Sequence, residues 1–192
     1  MALLQTGIAK STADDYTIDQ SLRFDDGSSP YLSRTFGAGN QQVFTVSSWV
    51  KLGSKAVGSE TVSLLSEYTD SNNRSYLVFG SYCRAFSESG GSDVANYSTD
   101  ATYRDPSAWY HVCFSIDVTQ STAADRVKIY VNGVREDITI SVNWPEDTNT
   151  RLNGASVHYV GQSGAASNET DGYLAEYHFI DGQALDASSF GE

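Results

Sequence analysis

The chain has 192 residues, 40% apolar and 12% aromatic, which is enough for one domain with a substantial core and too apolar for a disordered segment. Twenty-four acids against 12 bases give a net charge of −12, which repels phosphate backbones and argues against a nucleic-acid partner. No stretch approaches the length of a membrane span, and the apolar run Ala2–Leu4 is too short for a signal-peptide core, so no membrane partner is expected and folding in a cytoplasm is.

Met1–Gln20 lacks a clean pattern and is read as an arm, for anchoring or for packing on another subunit. From Ser21 onward short strand-like runs alternate with turn residues. "SLRFDD" alternates Leu22 and Phe24 with Arg23 and Asp25, and "GSSPYLS" turns into a second short strand. "QVFTVSSWVKL" alternates Phe44, Val46, Val50 and Leu52 with Thr45, Trp49 and Lys51, as expected of a strand inside two layers. "TVSLLSEY" and "RSYLVFGSYCRAF" supply further strands around the polar turn "TDSNN". After Asp105–Pro106, Tyr110, Val112, Phe114 and Ile116 line one face of a long strand. Val127, Ile129 and Val131 form the next, closed at once by Asn132–Gly133, the strongest short-range hairpin signal available. "SVHYVGQSG" and "GYLAEYHFI" are the last strands, and "DASSF" suits one helical turn.

About ten strands with regular turns predict an all-β, two-sheet antiparallel jelly-roll sandwich over residues 21–192. Cys83 and Cys113 lie in apolar runs and are expected as free, buried thiols, a disulfide between them being the lesser alternative. No Cys/His spacing suggests zinc.

In order, "SLRFDDGSSPYLSR", "FTVSSWVKLG", "WYHVCFSIDVTQSTAADRVKIYVNGV", "HYVGQSG" and "DGYLAEYHFIDGQAL" resemble the laminin-G-like branch of the concanavalin A-like lectin/glucanase fold. "RVKIYVNGV" and "GYLAEYHFIDGQALDASSFGE" are similar to lectin-like domains in structural proteins of tailed phages of marine bacteria, whose chains often continue beyond the equivalent of Phe190–Glu192. The resemblance implies a virion component, a head or tail appendage or decoration assembled in the host cytoplasm. Other virion proteins would be its partners, homo-oligomerisation would match the symmetry of its attachment site, and host-surface polysaccharide is a further partner the fold suggests. The alternative is a free-standing carbohydrate-binding module. Fold alone assigns no activity.

A glucanase is the weaker reading. Glucanases of this fold carry Glu-x-Asp-x-x-Glu on one strand, supplying the two carboxylates that hydrolysis needs. Here Glu169 and Asp171 have the first spacing, but position 174 is Leu and the next acid is Glu176. No catalytic residue is therefore assigned, and the chain is read as a non-enzyme. Glu176, His178 and Asp181 suggest an acid–imidazole–acid site, but alternation separates them. It predicts Tyr173, Ala175, Tyr177 and Phe179 facing the core and Glu176 and His178 facing out, with subunit contact as their use. His111 and the scattered arginines suggest no site, and Trp49 and Trp109 are read as core residues.

No cofactor and no metal ligand are assigned. Some relatives bind Ca²⁺ at a sandwich rim, and the acid–amide loops at Asp70, Glu146 and Glu169 are the places for one, read first as ordinary polar turns. Sugar binding needs an exposed aromatic beside planar polar groups. Trp144 with Asp147 and Asn149, and Tyr103 with Arg104, are the candidate glycan contacts, with a plug at one end of the sandwich as the competing use of Trp144.

Overall fold

The computed structural model describes residues 19–53, 62–164 and 170–190. The alternating runs form β1 (Leu22–Phe24), β2 (Leu32–Thr35), β3 (Val43–Leu52), β4 (Val62–Asp70), β5 (Asn73–Phe79), β6 (Cys83–Ser89), β7 (Ser92–Thr99), β8 (Trp109–Asp117), β9 (Val127–Val131), β10 (Val134–Arg135), β11 (Ile138–Val142), β12 (Val157–Val160) and β13 (Gly172–Asp181). Among the described residues helix is confined to one turn at Ala123–Arg126 and a 3-10 turn at Ala187–Phe190. The expected arm lies, apart from Asp19 and Gln20, outside the described residues.

The strands make two antiparallel sheets. One holds six in the order β1-β13-β3-β8-β9-β10, the other seven in the order β11-β7-β6-β5-β4-β12-β2. This is the two-sheet jelly roll that the strand pattern predicts. Between the sheets lies one core cluster in which Phe44, Phe79, Phe114, Leu65 and Ile129 are fully buried. Both cysteines are free and buried. The Asn132–Gly133 hairpin has φ of 49° and 78°, the two left-handed residues that a twist-matched two-residue turn requires. Gly90 and Gly91 do the same between β6 and β7, with φ of 58° and 77°.

Two strands are not evident in the sequence. β7 puts only Ala95 and Tyr97 inward from "SDVANYST", and β11 runs along a sheet edge. Their alternation is too weak to stand out beside small polar residues.

β13 departs from simple alternation. Ala175 pairs with Trp49, and the next pair is His178 with Ser47, so Glu176 and Tyr177 share Ser48. The extra residue is a β-bulge, with Glu176 at φ 47° and the Ser48 hydroxyl donating to the Ala175 carbonyl at 2.9 Å. The bulge reverses the facing halfway along. Leu174 points into the core before it, and Tyr177 and Phe179 pack on the core after it. Tyr173 turns outward against Trp109, so the expected inward placement of Tyr173 is corrected, and Trp49 and Trp109 are only half-buried.

The outward face of the six-stranded sheet is not bare. The chain after β13 folds back across it. Thr45 Oγ1 donates to the Gln183 carbonyl and accepts from the Leu185 N–H, and Phe190 packs against His111 and His178. Beneath this cover Ser47 Oγ lies 2.8 Å from His111 Nε2. His178 therefore contacts its own chain.

Candidate functional site

The sequence-derived glycan candidates do not assemble. Trp144 is 1% exposed, with its ring against Tyr97 and its backbone N–H donating to the Tyr97 hydroxyl at 3.1 Å. The Arg126 guanidinium, itself buried, donates to the carbonyls of Trp144, Gln120 and Ser121, and so fixes the segment from behind. Trp144 thus has no open face for a sugar ring and plugs the sandwich. Asp147 and Asn149 remain exposed, Asp147 with a left-handed φ of 58°. Tyr103 is also buried, against Phe79 and Tyr110, and burial pushes its hydroxyl far above the usual tyrosine range. Only Arg104 of that pair is exposed. The Asp147 N–H bonds to Val118 at one end of β8, whereas Tyr103 sits by Tyr110 at the other, about 25 Å away at strand rise.

Other candidates are also consumed locally. Asp70 accepts from the Asn72 N–H and the Asn73 amide, which hold its carboxyl below the usual range. Glu146 lies 3.5 Å from Arg126. Asn168 and Glu169 lie outside the described residues, among which no group of three acids, histidines or cysteines could hold a metal. Ser47 and His111 are 0% and 1% exposed, so that pair is closed to a substrate. Burial, with His178 nearby, lowers the His111 pKa to about 4.

A site the sequence reading missed lies on the outward face of the seven-stranded sheet. Alternation puts Arg74, Tyr76 and Val78 of β5 beside Glu88, Phe86 and Arg84 of β6, in direct register. Tyr76 and Phe86 stack at 4.9 Å. The Arg84 guanidinium lies 4.5 Å from the Phe86 centroid, and that of Arg74 lies 5.7 Å from it. Each is held laterally, Arg84 Nε by Asn96 Oδ1 at 3.0 Å and Arg74 Nε by Glu88 Oε2 at 2.9 Å. Both rings are buried, and the half-buried guanidiniums of Arg74 and Arg84 lie near them as planar groups flanked by an amide and a carboxylate. Gly164 packs near the Tyr68 ring beside this row. The signal was present as Arg-x-Tyr and Arg-x-Phe at period two, which counting arginines along the chain does not reveal.

A second feature is a cavity of about 730 Å³ where the two sheets part between β1 and β2, walled by Phe24, Leu65, Leu174 and Phe179, with His158 and Asn153 at one end. His158 Nε2 accepts from the Asn153 N–H, and its Nδ1 lies 3.1 Å from the Ser156 carbonyl, which sets the neutral tautomer.

Residues 25–189 match the family model described as the concanavalin A-like lectin/glucanases superfamily. The chain belongs to that superfamily. Among solved structures this lectin/glucanase-like domain is similar to a heptameric SAP-like pentraxin from Limulus polyphemus, at 15% identity and a TM-score of 0.59, covering 86% of this chain and 76% of that one. Domain 4 of a GH43 extracellular arabinanase from Geobacillus stearothermophilus, in complex with arabinotriose, matches at 19% identity and a TM-score of 0.50, covering 75% of this chain and 63% of that one. A botulinum neurotoxin serotype D/C binding domain matches at 13% identity and a TM-score of 0.52, covering 79% of this chain and 36% of that one. At these identities the likeness is one of fold. No curated protein matches the chain in sequence.

Proposed function

We propose that this domain binds glycans without catalysis, as part of a phage structural protein that presents it to host-surface polysaccharide. The observation that carries the reading is the row of planar donors over Tyr76 and Phe86. Arg74 and Arg84 are pre-oriented by stacking and by their lateral partners, so hydroxyl recognition costs little side-chain ordering. The arabinotriose complex of a domain with this fold supports the ligand class. The likeness of "RVKIYVNGV" and of the C-terminal stretch to phage structural proteins supports the setting, and the heptameric pentraxin is consistent with an oligomer.

The test is a polysaccharide array probed with the full chain and with Arg74→Ala/Arg84→Ala. Binding should fall at least tenfold in the variant while its melting temperature stays within a few degrees. Equal binding by both proteins would remove the site. Detection of the chain in purified particles supports the virion setting, whereas glycan binding without incorporation selects the free-standing module. Hydrolysis of β-glucans by the purified protein, lost in Glu176→Gln, would overturn the non-enzymatic reading. The melting temperature is expected to be unchanged by Ca²⁺ or a chelator, since the domain is proposed to need no metal.

A further inference from the structure

The irregular stretch of β13 lies in the wall of the cavity between the sheets. Regular alternation would send Leu174 and Tyr177 to opposite faces. The bulge puts both on the inner face, where they line the cavity with Phe179. It does so at Glu176, a residue with a side chain held at φ 47°. Backbone of that kind is costly and gathers at binding sites, where bulges re-aim side chains. The side chain re-aimed here is Tyr177. Its hydroxyl is buried and has no hydrogen-bond partner among the described residues. Two other buried side-chain atoms share that state, on Tyr103 and His111, and neither residue is in the cavity wall. Burial raises the Tyr177 pKa, so the group stays a neutral phenol, able to donate and to accept. A buried hydroxyl without a partner destabilises the fold, so it marks the place of a ligand's hydrogen bond.

The other polar side chains of the wall define the ligand's charge. His158 uses both ring nitrogens, on the Asn153 N–H and the Ser156 carbonyl. Asp181 accepts from the Asn40 N–H and the Asn153 amide. Arg34, Glu176 and Asp181 are exposed, so their charges are solvated. Two acids against one arginine disfavour an anion, and a cation would be buried against apolar side chains with only a neutral phenol to meet it. The volume of about 730 Å³ is that of an ordinary small-molecule site. We propose that this cavity binds an uncharged, largely apolar molecule carrying one hydroxyl or carbonyl oxygen. The oxygen pairs with the Tyr177 hydroxyl, and Phe24, Leu65, Val160, Leu174 and Phe179 enclose the apolar body. The site is separate from the arginine row, which lies on the outward face of the seven-stranded sheet, so either can exist without the other.

The test titrates the full chain with 1-decanol at pH 7, read as displacement of the neutral fluorophore N-phenyl-1-naphthylamine. Decanol should bind more tightly than decanoate or decylamine, which share its chain and differ in charge. Tyr177→Phe should weaken decanol about tenfold, the effect of one hydrogen bond. It should not lower the melting temperature, because the hydroxyl it removes has no partner in the protein. Val160→Phe, which adds volume to the same cavity, should also weaken decanol. Failure of decanol to bind, or equal binding by the parent chain and both variants, would overturn the proposal. Tighter binding of decanoate or decylamine would overturn the uncharged class. A Tyr177→Phe chain that melts several degrees lower would show the hydroxyl to be satisfied within the protein and would equally overturn the site.

Discussion

The two flanks of the sandwich have the same problem and differ in how far the described residues solve it. Where β9 and β10 face β7 and β11, Trp144 fills the gap, Tyr97 binds its backbone, and Arg126 ties three carbonyls together behind it. Where β1 faces β2, the sheets part around a cavity and the apolar side chains at the rim are exposed. The closed flank uses Trp144 and Tyr97 as internal structure, so its acids remain as ordinary loop polarity. The open flank keeps its apolar surface available. Burial of an aromatic, more than its residue type, decides whether it supports a fold or a partner.

The largest test of this contrast is Trp144→Ala. It empties a fully buried site and strips packing from Tyr97, so it should cost about 3–5 kcal/mol, read as a lower urea midpoint with an unchanged m-value. A cost below about 1 kcal/mol, the range of a surface change, would mean that this flank is no better closed than the other.

Much of this division is legible in the sequence, and the residues show where legibility stops. β3, β8 and β9 declare themselves because Phe44, Val112 and Ile129 recur at period two among polar neighbours. β13 is legible as a strand but its facing is not, because its bulge at Glu176 goes with the Ser48 hydroxyl opposite, a contact between residues 127 positions apart that no local pattern encodes. Trp144 beside Pro145 is correctly placed off the central strands, yet only Tyr97 and Arg126 determine that it turns inward. The arginine row was missed for the opposite reason. Its residues are strictly periodic, but their meaning comes from registering β5 against β6, which only pairing supplies.

Acid separates other parts of the molecule. His111, under the C-terminal cover, has its pKa lowered from 6.5 to about 4 by burial and by His178. His158, at the open flank, is also lowered by burial, and its Nε2 must stay unprotonated to accept from Asn153. Both groups are depressed bases that fold in the neutral form. Their contribution is complete above pH 6.5 and is lost as the pH falls, for His111 down to about 4. The His111 shift corresponds to a loss on the order of 3 kcal/mol at the acid end. Unfolding midpoints measured from pH 7 to 4 should fall accordingly, and His111→Gln should flatten most of the slope and leave the part due to His158. An unchanged slope in that variant would assign the acid sensitivity to the open flank.

The finest discrimination comes from adding volume. Ala95 is fully buried opposite Ser87 in the packed part of the core, so Ala95→Leu has nowhere to expand and should cost about 1–3 kcal/mol. Val160 lines the cavity, so Val160→Leu should cost less than about 0.5 kcal/mol, because the new methylene meets open space. Equal penalties at Ala95 and Val160, read as urea midpoints, would mean that the space beside β12 is as tightly filled as the packed core, and the contrast between the two flanks would be lost.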